Sequence, residues 1–210
     1  MSWWPSMFIP TCASPSAGSS SNPTLCYAER MAETRTLITP DEFLKMAQQT
    51  DDRLELVNGE VLRMGPPGTR HGFVSGQILW VLKQLIPAEE ARVCADLGIL
   101  LPSGNVRGPD VVVISAERIR VHGIPTGWWP DAVDLAIEVV GADEREIELD
   151  RKIEEYFAAG VPQVWKVKPG TRKVYVYRSP KDVRIYDEGD ELEATDVHPN
   201  LRFPVRRLFE

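Results

Sequence analysis

The sequence predicts a mixed α/β fold, a central β-sheet flanked by helices. Three observations carry this. Val111-Val112-Val113-Ile114 and Leu135-Ala136-Ile137-Glu138-Val139-Val140 are apolar runs with no polar face, the pattern of strands covered on both sides. His71 to Ile86 and Glu144 to Ala159 repeat apolar residues at helical spacing. Asn58-Gly59 stands between two strand-like runs, the strongest short hairpin signal.

Taken in order, the first helix opens at Thr39-Pro40-Asp41-Glu42. Thr39 is an N-cap, Pro40 suits the first helical position and Glu42 completes a capping box. Arg53 to Val57 and Glu60 to Met64 form the hairpin, and Gly65-Pro66-Pro67-Gly68 is a loop. The helix from His71 puts Val74, Ile78, Leu82 and Leu85 on one face and ends at Pro87. Arg92 to Leu101 reads as one strand before the turn Pro102-Ser103-Gly104-Asn105. The two buried strands follow, separated by an irregular loop, Gly123 to Pro130, that carries Trp128-Trp129. The last long helix has Leu149, Ile153, Tyr156 and Phe157 as its stripe and Gly160 as its C-terminal glycine. Gln163 to Val167 and Lys173 to Tyr177 make a hairpin around Pro169-Gly170, and short strands run to Phe209.

The N-terminal stretch differs in kind. Prolines at 5, 10, 15 and 23 and a Ser-rich run leave no period of 2 or 3.6. It lacks the basic start and unbroken apolar core of a signal peptide. Residues 1–33 are therefore expected to be a disordered extension, or the product of a start codon placed too early, with Met31 the natural beginning. Residues 34–210 are expected to form the folded domain.

Composition narrows the function. The 210 residues are 43% hydrophobic and 26% charged, which excludes a wholly disordered or collagen-like chain. With 24 Lys and Arg against 31 Asp and Glu the net charge is −7, which argues against a sequence-blind DNA coat but leaves room for an enzyme with a local cleft. No run of about 18 unbroken apolar residues predicts a membrane helix. Three cysteines, an odd and sparse set, point to a reduced, cytoplasmic compartment, with Cys94 a core thiol. The three histidines lack metal-ligand spacing, and no phosphate-loop or dinucleotide fingerprint occurs.

Two acids stand in the wrong surroundings. Asp110 follows Pro109 and immediately precedes the first buried strand; Glu138 lies inside the second. A lone buried carboxylate costs several kcal/mol unless it is paired or bound to a cation. Adjacent strands would set the two about 5 Å apart. A divalent cation resolves their repulsion, and oxygen ligands suit Mg²⁺. Lys152, on the helix after the Glu138 strand, can reach that strand's end from the rim of the apolar stripe. The plainer alternatives are an Arg or Lys partner for Glu138, a turn or cap role for Asp110, and a surface pairing of Lys152 with Glu148 or Glu155.

Pro109-Asp110 followed by Glu138-Val139-Val140 resembles the PD-(D/E)XK nuclease superfamily and, more closely, its Uma-two-type restriction endonuclease branch. Glu55 to Glu60, His71-Gly72, Asp150-Arg151-Lys152 through Tyr156, Gly160 to Trp165 and Pro199 to Phe209 extend the likeness over about Thr36 to Glu210. The resemblance implies a restriction-endonuclease-like fold and a metal-dependent endonuclease acting on DNA. It implies Asp110, Glu138 and the carbonyl of Val139 as ligands of Mg²⁺ (or Mn²⁺), and Lys152 as the catalytic lysine. Glu55 would be a third acid, His71 a phosphate or proton contact, and Arg70 and Arg107 contacts to the nucleic-acid backbone. By the same analogy a homodimer is expected. The sequence departs from the pattern where the superfamily's lysine stands, at Val140, and at Gly141-Ala142-Asp143 and Lys166-Val167-Lys168-Pro169. These departures keep a second expectation open, a catalytically inactive nucleic-acid-binding or protein-interaction module on the same scaffold. Trp128-Trp129 would be either an exposed anchor of such a module or a loop folded over the core.

Overall fold

The computed structural model describes residues 37–141 and 146–210. The extension expected over 1–33 and the helix start expected at 144–145 lie outside the described residues.

Among the described residues four helices and twelve strands follow in the order α1 (Pro40–Ala47), β1 (Leu54–Val57), β2 (Glu60–Arg63), α2 (Thr69–Leu85), β3 (Ala91–Ala95), β4 (Ile99–Leu100), β5 (Val106–Arg107), β6 (Val111–Ser115), α3 (Ala116–His122), β7 (Leu135–Val139), α4 (Glu146–Ala158), β8 (Val164–Lys168), β9 (Lys173–Ser179), β10 (Asp182–Tyr186), β11 (Glu191–Glu193) and β12 (Arg202–Pro204). A 3₁₀ turn, Val205–Leu208, closes the chain. No helix among the described residues is long and apolar enough to cross a membrane.

The central sheet has six strands in the order β10-β9-β8-β7-β6-β3. Only β7 and β8 run parallel, joined through α4; the other pairs are antiparallel. Side chains alternate between two covered faces. Val111, Val113, Leu135, Ile137 and Trp165 pack in one core with α2. Val112, Ile114, Ala136 and Val164 pack in another with Leu149, Ile153 and Tyr156 of α4. Two covered faces explain why β6 and β7 carry no polar side.

A second sheet, β2-β1-β5-β4, packs with α1 around Phe43, Leu56 and Val106. The capping box of α1 forms as its sequence requires, with Thr39 Oγ1 accepting from the Glu42 amide and Glu42 Oε2 accepting from the Thr39 amide. Asn58 and Gly59, with φ of 52° and 78°, close the β1–β2 hairpin, a turn that needs two left-handed residues.

One expectation is corrected, and two elements were not anticipated. The single strand expected from Arg92 to Leu101 is two: at Asp96 the chain takes φ of 51°, and β3 and β4 enter different sheets. The turn at 102–105 leads into a two-residue strand, β5, too short to show a period. The segment after β6 is helical: Ser115 caps α3 by accepting from the Arg118 amide, and α3 buries no side chain, so it has no apolar stripe to read. Trp128 and Trp129 fold inward. Trp129 is 3% exposed and donates to the Ala132 carbonyl, and Trp128 stacks on Phe43 at 5.2 Å between ring centres.

Candidate active site

The β6–β7 register places Val111 opposite Ile137, and one residue beyond this pair Asp110 and Glu138 come together. The Glu138 carboxylate meets Lys152 and Tyr156 of α4, while that of Asp110 meets Arg53 and the α2 residue His71. Asp110 precedes β6 by one residue, and its Oδ2 accepts the Val139 amide over 2.7 Å. The aspartate thus continues the β6 ladder with its side chain, where a main-chain carbonyl would otherwise pair.

Both acids are buried, at 5% and 2% exposure, and their surroundings pull them apart electrostatically. For Asp110, burial favours the neutral form, but the contact with His71 and the Arg53 charge outweigh it and hold the carboxyl below the ordinary aspartate value. His71 Nε2 lies 3.2 Å from Oδ2, and Arg53 bonds Oδ1 over 2.8 Å. The Ser75 hydroxyl sits 3.4 Å from His71 Nδ1, which fits a ring whose Nε2 carries the hydrogen. Glu138 goes the other way. Burial, offset by Lys152 and reinforced by the charges of Asp110 and Glu55, pushes it up to about 7. Its Oε1 accepts the Tyr156 hydroxyl over 2.6 Å, and Lys152 Nζ lies 3.4 Å from Oε2.

Lys152 is on α4 but points inward. Its ammonium also stands 3.0 Å from Glu55 Oε1, a carboxylate 1% exposed on β1. Glu55 in turn takes Arg107 Nη1 at 2.8 Å and the Gly108 amide at 3.2 Å. Burial opposes its charge, but Lys152 and Arg107 win, and its pKa falls below the ordinary value. The surface partners expected for Lys152 are taken by its neighbour: Arg151 bonds Glu148 at 2.7 Å and reaches Glu155 at 3.7 Å.

The expected residues therefore converge, with one correction. Glu55, His71, Asp110, Glu138 and Lys152 form one connected network. Arg107, expected on a nucleic-acid backbone, is 1% exposed, holding Glu55 on one side and Glu155 with two bonds of 2.7 and 2.9 Å on the other. A guanidinium so enclosed meets a phosphate only by abandoning two carboxylates, so its role is to organise the acids. Arg70 stays exposed. It lines, with His71, Val140 and Lys168, a 430 Å³ pocket beside the start of α2. Solvent reaches the network itself from two more openings, a 210 Å³ pocket at Asp110 and His71 and an 800 Å³ cleft at Glu55 and Lys152.

Sequence reasoning missed Arg53 and the Tyr156 hydroxyl. Arg53 reaches Asp110 across 57 positions, which no local pattern reveals. Tyr156 was legible in principle, because a tyrosine in an apolar stripe needs a partner for its hydroxyl. Among the described residues, no group of three His, Cys, Asp or Glu side chains is arranged to hold a metal unaided. At the Val140 position no lysine is present; the lysine that reaches Glu138 comes from α4 instead. Lys166 lies opposite Glu138 on β8, but its ammonium is bound to Glu146 and Asp150.

Comparison with known proteins agrees with this architecture. The family model described as "Uma2: Putative restriction endonuclease" matches residues 40–206. The chain belongs to the Uma2 family. The crystal structure of a "putative nuclease belonging to DUF820" from Anabaena variabilis is similar to this Uma2 chain with a TM-score of 0.72 and 23% identity, over 82% of this chain and 97% of that one, which establishes the fold. A DrdV–DNA complex overlaps at a TM-score of 0.36 and 15% identity, over 63% of this chain and 11% of that one, too slight a likeness to argue from. No curated protein matches the sequence.

Proposed function

We propose that this Uma2 chain hydrolyses phosphodiester bonds of DNA in the cytoplasm, using a divalent cation, Mg²⁺ or Mn²⁺, held by Asp110, Glu138 and the main-chain carbonyl of Val139. The observation that carries this is the convergence of three buried acids, Glu55, Asp110 and Glu138, with Asp110 Oδ2 on the amide of Val139, the residue after Glu138. Arg53, Arg107 and Lys152 answer their charge, and Arg107 is shared with Glu155. The donor set fits such an ion. Asp110 accepts three hydrogen bonds and Glu138 two, so both keep acceptor capacity, and both offer the hard oxygen that Mg²⁺ prefers. Two carboxylates, completed by water and phosphate oxygens, are a usual complement for it.

A bound ion would polarise the scissile phosphate and lower the pKa of a water. The protein's part is positioning. Lys152 orients the attacking water and meets the charge that develops on the phosphate. Glu55, fixed by Arg107 and the Gly108 amide, keeps Lys152 in place. Arg53 and His71 hold the Asp110 carboxylate ionised, and His71 stands where a proton or a phosphate oxygen would arrive. Arg70 contributes to the phosphate backbone from the neighbouring pocket.

Plasmid cleavage tests this. Supercoiled DNA incubated with protein and Mg²⁺ or Mn²⁺ is expected to be nicked and linearised. Asp110→Asn and Glu138→Gln, which keep shape, are expected to reduce the rate at least about 100-fold with an unchanged circular dichroism spectrum. Full activity in either variant would remove that residue from the mechanism.

One observation favours a second reading, a module that binds without turnover: every buried acid of the network already has a cationic or hydrogen-bonding partner. Calorimetric titration with Mn²⁺ in the presence of DNA separates the two. Binding that disappears in Asp110→Asn supports the enzyme, and no binding at all supports the module.

A further inference from the structure

The parallel β7–β8 ladder ends where the Val140 amide donates to the Val167 carbonyl. Just beyond, at the carboxyl ends of both strands, lies the 430 Å³ pocket. Such crevices are where open α/β sheets hold ligands. Three segments wall it: Gly68, Arg70 and His71 at the start of α2, Val140 at the exit of β7, and Pro169 and Gly170 in the β8–β9 turn. A Cβ built on Gly68 or Gly170 would meet nothing within 4 Å, so both glycines face open space. The walls divide chemically. Val140, Pro169 and the glycine main chain give flat, apolar contact, while Arg70 and His71 give donors on the α2 side. Lys168 also borders the pocket, but its ammonium is bonded to Glu146. Arg70 forms no ion pair among the described residues.

We propose, resting on the nuclease reading above, that this pocket takes one unpaired nucleotide of the DNA strand being cut, with a phosphate on Arg70 and His71 and the base against Val140 and Pro169. Two of its walls lead to the acids. His71 Nε2 lies 3.2 Å from Asp110 Oδ2, and Val140 follows the residue whose amide Asp110 accepts. A nucleotide seated here therefore brings its phosphate beside Asp110. Size favours a single nucleotide, because the volume is near the low end of small-ligand pockets, roughly 300–1,000 Å³, and suits one nucleotide rather than a base pair. Burial favours an unpaired one. Asp110 and Glu138 are 5% and 2% exposed, so a phosphate on the outside of an intact duplex stays short of them, whereas a strand freed from its partner can turn inward. A chain of net charge −7 also gains little from blanketing a duplex and more from a local cationic pocket.

Fluorescence anisotropy of the full chain, with Ca²⁺ in place of Mg²⁺, reads binding without turnover. A labelled single strand, and a duplex of the same sequence with one bulged nucleotide, are expected to bind at least about 10-fold tighter than the perfect duplex. 2-Aminopurine at the bulge is expected to brighten on binding, as its base leaves the stack. Gly170→Leu fills the pocket at a glycine outside the left-handed region, so the backbone accepts a side chain there. It is expected to lose both the preference and the brightening with an unchanged far-ultraviolet spectrum, and Gly170→Ala to keep most of both. Equal affinity for the three DNAs, no binding to any of them, or a Gly170→Leu protein that behaves like the parent overturns the proposal. Competition by free dAMP at lower concentration than by the single strand also overturns it, giving the pocket to a free nucleotide. Plasmid cleavage is scored separately. A parent that discriminates and brightens but does not cut keeps the pocket and loses the nuclease reading. A parent that cuts, with Gly170→Leu cutting and binding as well, keeps the nuclease reading and loses the pocket.

Discussion

Tyr156 donates its hydroxyl to Glu138 Oε1 across 2.6 Å, and both residues are buried. One turn earlier on the same helix, Lys152 approaches the other oxygen of that carboxylate. α4 thus grips Glu138 twice, once with a neutral donor and once with a charge.

Tyr156→Phe removes the neutral donor and leaves the ring in place. We expect unfolding free energy to fall by about 1–3 kcal/mol at pH 8, the cost of an unsatisfied buried acceptor. The loss should shrink below pH 6, where Glu138 holds a proton of its own. Urea titrations at the two pH values decide it, and equal losses would contradict a role through the ionised carboxylate.

Arg107 spans Glu55 and Glu155 from inside the protein. Arg107→Met keeps much of the volume but leaves Glu55 with Lys152 and the Gly108 amide, and Glu155 with Arg151, so a loss of about 1–3 kcal/mol is expected in urea unfolding. A loss under 1 kcal/mol would mean that the carboxylates find other partners.

Glu138 titrates near 7 in the fold against an ordinary 4.5, chiefly because it is buried. Between those values the folded chain keeps a proton that the unfolded chain has released, so raising the pH favours unfolding. The span corresponds to roughly 3 kcal/mol. Glu138→Gln lacks this penalty, so its stability relative to the parent should improve by that amount between pH 4.5 and 7.5, then level off. Asp110 and Glu55 act in the opposite sense: held below their ordinary values, they contribute at neutral pH and lose that contribution as the pH falls through their folded pKa. A stability difference independent of pH would contradict an elevated Glu138.

A cation that binds the folded chain alone should reverse the penalty on Glu138. At 100 times its dissociation constant, Mg²⁺ or Mn²⁺ is expected to add about 2.7 kcal/mol. Thermal melts at pH 7.5 with and without Mn²⁺ should show an upward shift in the parent and none in Asp110→Asn. Equal shifts in both would place the ion elsewhere.

Much of this protein is written locally. The capping box of α1, the Asn58-Gly59 turn, the two-sided burial of β6 and β7 and the stripe of α4 each depend on neighbours a few residues away. Burial alone made Asp110 and Glu138 conspicuous, because an acid inside an oily strand needs an explanation wherever the strand goes. The short strands β4 and β5 and the exposed helix α3 were not legible, since two residues show no period and a helix without a buried face shows no stripe.

By itself the sequence determined which segments become strands and helices and which acids must be answered by a cation or a donor. Tertiary structure decided who answers them. Register brought Asp110 to Glu138, packing of α4 turned Lys152 inward between Glu138 and Glu55, and the second sheet enclosed Arg107 while leaving Arg70 in solvent. The physical reason is reach: periodicity and capping act over one or two turns of chain, whereas charges in a low-dielectric interior find partners by distance in space, and the 57 positions between Arg53 and Asp110 leave no trace in the intervening residues.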